Sequence, residues 1–111
     1  MTSKVRVNMR MCPKCIEVTA DLQDDGVTVK ISVESDCTNV QQYAELLGDT
    51  VTMDDVMSFG TSRIFRPDVL LPLTMTCLVP SAVVTAASLE LGMMTKSCAK
   101  VDGGNSIELV E

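Results

Sequence analysis

A chain of 111 residues can build one domain with its own core and is too short for two, so residues 1–111 are read as a single domain. Hydrophobic residues make up 46%, which excludes a disordered acidic tail. A net charge of −6 argues against non-specific nucleic-acid binding, which needs cations to displace counterions.

In chain order, "VRVNMRM" puts Val5, Val7, Met9 and Met11 on one face and Arg6, Asn8 and Arg10 on the other, the alternation of a half-buried strand. "CIEVTADL" alternates again, with Ile16, Val18, Ala20 and Leu22 inward. "QDDG" at 23–26 is a turn, and "VTVKISVE" turns Val27, Val29, Ile31 and Val33 inward. Leu22 opposite Val27 is the expected register.

Thr38 with Gln41 has the spacing of a capping box. Val40, Tyr43, Ala44 and Leu47 then follow helical spacing, and Gly48 ends the helix. Thr52, Asp54 and Asp55 open a short second helix through about Phe59, and a brief helical turn is expected in 60–74. Pro80 suits the first turn of a further helix, Ser81 to Leu91, closed by Gly92. "SIELV" at 106–110 is a last strand. The order β-β-β-α-α-α-β predicts an α+β domain, an antiparallel sheet with helices on one face.

Val69 to Leu89 carries no charge over the length of a membrane span, but Pro72, Pro80 and several Ser and Thr interrupt it, so no membrane segment is expected. The start "MTSKVRVNMRMC" lacks the apolar region of a signal peptide. Five cysteines is an odd number, and in a reducing cytoplasm, the expected location, they are buried, metal-bound or redox-active.

Where the cysteines fall carries the functional reading. The expected hairpin register sets Cys12 opposite Cys37 at one sheet end, with Cys15 beside them in "CPKC". Cys37 stands just before the first helix and Cys77 just before the helix of Pro80. A helix N-terminus offers unpaired N–H groups and a positive dipole end, and both favour the thiolate that binds metal. Cys12, Cys37 and Cys77, with Cys15 as possible fourth ligand, therefore form a candidate metal site. Cys98 lies beyond the last helix and is not placed with them. A cysteine also packs well as a small apolar side chain, which remains the alternative for each.

This arrangement resembles the NifU/IscU-type iron–sulfur cluster scaffold proteins, which place three cysteines at such corners. The resemblance covers about residues 10 to 94 in topology and spacing and implies the scaffold fold and a cluster site. Two features of that family are missing: Lys14 stands where it has aspartate, and Thr76 where it has histidine. The motifs "SDCTNV" and "CLVPSA" are more closely similar to an uncharacterised family of small proteins from anaerobic archaea and bacteria, which pairs S-D-C-x-N-V with C-x-V-P-x-A. That resemblance implies a cysteine site without a known reaction.

With no histidine in the chain, Ser–His and Cys–His nucleophile pairs are excluded, and general acid–base catalysis looks poor, so the chain reads as a binding protein rather than an enzyme. Thiolates without imidazole favour zinc, copper(I) or an iron–sulfur cluster. The first expectation is a cytosolic metal- or cluster-binding protein, the cofactor being zinc or an iron–sulfur cluster, with a protein partner for metal or cluster transfer. The second is a thiol redox protein using Cys12 and Cys15. The third is a partner-binding domain whose cysteines are incidental, for which Ile64, Phe65, Val69 and Leu70 would form an exposed apolar patch.

Overall fold

The computed structural model describes residues 2–7, 16–75, 77–95, 97 and 110. Strands β1 (Thr2–Val7), β2 (Ile16–Leu22) and β3 (Thr28–Ser35) lead into helix α1 (Thr38–Leu47). Strand β4 (Thr50–Thr52) and helices α2 (Met53–Met57), α3 (Pro67–Leu70) and α4 (Val79–Glu90) follow. The strands form one antiparallel sheet in the order β1-β2-β3-β4, and the domain is α+β.

Alternation decides which sheet face the helices cover. Val7, Ile16, Val18, Ala20, Val29 and Ile31 are buried, while Lys4, Arg6, Asp21, Lys30 and Glu34 lie exposed on the other face. Helix α4 packs chiefly on β1 and β2, and α1 packs on β3. Val29, Ile31, Val83 and Ala86 share one core with Val40, Tyr43, Leu47, Val51 and Ile64.

The hairpin register differs from the expectation by two residues: Leu22 faces Val29, and Val27 is exposed. The cause is Asp25. Its carboxylate accepts the N–H groups of Val27 (3.0 Å) and Thr28 (2.8 Å) and the Thr28 hydroxyl (2.6 Å), drawing Val27 into the turn. A two-residue slip keeps every other side chain on its expected face, because the side-chain period is two.

The element order also gains a strand. β4 separates α1 from α2 and carries a single buried residue, Val51, too short a run for alternation to reveal. The expected strand at 106–110 lies, apart from Val110, outside the described residues. Helix α1 starts at Thr38, but its N-cap is Cys37, and Gln41 turns its side-chain amide to the carbonyl of Ser35 (2.8 Å). Helix α2 ends at Met57, earlier than expected. Helix α4 closes on Gly92, whose φ of 76° permits the N–H of Met93 to reach the Ser88 carbonyl (2.9 Å) and its own N–H to reach Leu89 (3.4 Å). No helix among the described residues is long and apolar enough to cross a membrane.

Candidate metal centre

Cys37 ends the passage from β3 into α1. Its N–H donates to the Ser35 hydroxyl oxygen at 3.0 Å, and its carbonyl accepts the Gln41 N–H at 3.1 Å, the first bond of the helix. The backbone there is extended, and the side chain makes no capping hydrogen bond. The Cys37 thiol is half-buried against the core.

Cys77 stands one residue before Leu78, the N-cap of α4. Its N–H donates to the Thr74 carbonyl at 3.1 Å, a tight turn that delivers the chain into the helix. Its side chain is also half-buried and packs against the same core. Tyr43, on α1, is fully buried and donates its hydroxyl to the Ile64 carbonyl at 3.0 Å. Burial pushes ionisation of Tyr43 well above the ordinary tyrosine range, and negative charge at Cys77 pushes it in the same direction. Cys77 is therefore within electrostatic reach of an α1 side chain.

The direction of α4 follows from its last residue. Glu90 is buried, and its carboxylate accepts the Ser3 hydroxyl and the Leu22 N–H (3.3 Å). Ser3 is near the start of β1 and Leu22 ends β2, so the C-terminus of α4 is fixed at that end of the sheet. A helix of 12 residues spans about 18 Å and a strand of 7 about 23 Å. Lying along β1 and β2, α4 carries its N-terminus toward the other end, where Val7 pairs with Ile16 and Ile16 with Ser35. Cys37 follows Ser35 by two residues. Both described cysteines thus belong to the same half of the molecule, each on the N-terminal side of a helix.

Cys12, Cys15 and Cys98 lie outside the described residues, as do Lys14 and Thr76. Among the described residues no group of three or more Cys, Asp or Glu is gathered to hold a metal. The described part of the expected site is Cys37 and Cys77.

The expected apolar patch is corrected. Ile64 and Val69 are buried, and Phe65 and Leu70 are half-buried against the core. Ile64 is core because Tyr43 binds its carbonyl and its N–H is held by Ser62 (3.2 Å).

Two buried carboxylates were not anticipated. Besides Glu90, Asp55 is 4% exposed. It accepts the Thr52 N–H (2.9 Å), the Arg63 N–H (3.0 Å) and the Arg63 guanidinium (3.0 Å). Burial alone would raise its carboxyl, but the side-chain and backbone bonds from Arg63, with that from Thr52, hold it below the usual range. Glu90 has a sequence signal, a lone charge between Leu89 and Leu91 in an otherwise apolar helix. The Asp55–Arg63 pair has none beyond the capping position of Asp55.

A family model described as a family of unknown function matches residues 3–102. No curated protein and no solved structure matches the chain.

Proposed function

The chain belongs to that family of unknown function, DUF6951, and we propose from its own residues that it is a cytoplasmic metal- or iron–sulfur-cluster-binding protein. Cys12, Cys37 and Cys77 are the proposed ligands, with Cys15 as the fourth. The observation that carries the reading is the run of α4 from Glu90 back along β1 and β2, which brings Cys77 toward the sheet end that Cys37 leaves. Cys15 directly precedes Ile16, and Ile16 pairs with Ser35 at that same end.

The donor set fits the group. Thiolates with no imidazole in the chain suit zinc or an iron–sulfur cluster and give magnesium or calcium nothing to bind. Thiolates gathered at one end repel each other, and a cation between them removes that repulsion while tying separate chain segments together. A reducing compartment keeps such thiols available. The similarity to NifU/IscU-type scaffolds points the same way and would make the partner a protein that delivers or receives metal or cluster. Lys14 and Thr76, in place of the scaffold family's aspartate and histidine, make simple holding the better-supported role.

The redox alternative is disfavoured by β2. A thiol-exchange C-x-x-C opens a helix, and here a strand begins at Ile16, immediately after Cys15.

Metal and acid-labile sulfide measured on anaerobically purified protein test the proposal. Stoichiometric zinc or iron, lost in Cys37→Ser and Cys77→Ser and kept in Cys98→Ser, is expected. Metal-free protein, or metal that survives both substitutions, overturns it.

A further inference from the structure

Strand β3 is longer than its partner on one side. β4 pairs with it only from Thr28 to Lys30, and the Asp49 carbonyl extends the contact by accepting the Ile31 N–H at 2.7 Å. At the other end the side chain of Gln41 covers the Ser35 carbonyl at 2.8 Å. Backbone groups two residues apart point to the same side of a strand, so the N–H and C=O of Val33 face outward between these two covers. No described residue bonds them. An open edge of this kind is a template for another strand.

Beside that edge, between β3 and α1, runs a groove of about 330 Å³, lined by Ile31, Val33, Ala44, Glu45, Gly48 and Asp49. Its floor is apolar. Its only charges are the carboxylates of Glu45 and Asp49, both exposed and without an ion-pair partner among the described residues.

We propose that this edge binds a short extended segment of a partner protein carrying a lysine or arginine. The segment pairs with the N–H and C=O of Val33, seats an apolar side chain on Val33 and Ala44, and sets its cation between Glu45 and Asp49. A second copy of the chain fits poorly. Pairing of two copies about Val33 would use the same N–H and C=O groups but bring a chain of net charge −6 to the same carboxylates, so a cationic segment is the better complement. The groove is lined by the C-terminal part of α1, whereas Cys37 caps its N-terminus, so the segment binds without needing metal.

The test uses full-length protein as purified, its metal content measured, and two capped pentapeptides, one with valine and lysine two residues apart so that both face the groove, one with glutamate in place of lysine. Amide NMR shifts and hydrogen exchange report binding. The lysine peptide is expected to shift Val33, Ala44 and Gly48 and to slow exchange of the Val33 N–H at least severalfold. The glutamate peptide should do neither, and Glu45→Gln with Asp49→Asn should weaken lysine-peptide binding about tenfold or more. Absence of a Val33 response at millimolar lysine peptide, equal binding of both peptides, or binding unaffected by the double substitution overturns the proposal. So does a Val33 response that follows protein concentration alone, which would assign the edge to a second copy. Because Val33, Glu45 and Asp49 are not proposed metal ligands and the metal content is measured separately, failure here is distinct from failure of the metal-binding reading.

Discussion

Ser3 on β1 donates its hydroxyl to the carboxylate of Glu90 on α4, and both side chains are buried. This contact joins residues 87 apart in sequence and sets which way α4 runs over the sheet. Glu90→Ala removes the acceptor for both Ser3 and the Leu22 N–H. The expected loss of stability is about 2 kcal/mol or more, since a buried polar group left unpaired costs about 1–3 kcal/mol. Denaturant unfolding reads it directly, and a midpoint equal to that of the parent protein would mean the contact does not hold the helix end.

Val29 is fully buried at the centre of the sheet. Val29→Asp puts an unpaired charge among Val51, Val83 and Ala86, and should cost several kcal/mol. Circular dichroism should show a grossly destabilised chain. A soluble variant with an unchanged melting temperature would overturn the assignment of the inward face.

Asp55 gives the fold an acid-sensitive lock. Its carboxyl is held below the ordinary value of 3.8 by Arg63 and Thr52 against the opposing effect of burial. A carboxyl lowered in the folded state adds stability above its unfolded value and loses it as pH falls through the folded one. Asp55→Asn should therefore flatten the decline of the melting temperature below about pH 4, as well as lowering it at neutral pH. A parallel decline in both proteins would show that Asp55 does not contribute.

Tyr43 is the one tyrosine, and the chain has no tryptophan, so ultraviolet titration reads its hydroxyl alone. Ionisation should occur well above the ordinary value of 10.0, first because Tyr43 is buried and second because any negative charge at Cys77 opposes a second one beside it. Stability should fall as pH rises past the unfolded value, where the unfolded chain releases a proton that the folded one retains. Cys77→Ser should move the titration part of the way back. An unmoved titration would separate Cys77 from Tyr43.

Much of the fold was legible because alternation and helical spacing are local. The inward sets on β2 and β3 and the bounds of α1 follow from side-chain periods, and apart from Val27, which Asp25 draws into the turn, these survived the register slip. β4 was not legible, because its place is set by pairing with β3 rather than by its own three residues. Thr38 carries a capping residue type yet lies inside the helix, because Ser35 and Gln41 bond around Cys37 instead. Of the site, the corner placements of Cys37 and Cys77 were readable from the Thr38–Gln41 spacing and Pro80. The direction of α4 was not, since it rests on Glu90 meeting Ser3 and Leu22 from far along the chain.

The metal content of anaerobically purified protein, compared with that of Cys37→Ser and Cys77→Ser, tests the central claim most directly. The account predicts zinc or iron at near one centre per chain in the parent protein and its loss in each variant, with each variant still folded by circular dichroism. Parent protein that binds neither zinc nor iron, or folded variants that keep the full metal complement, would contradict it.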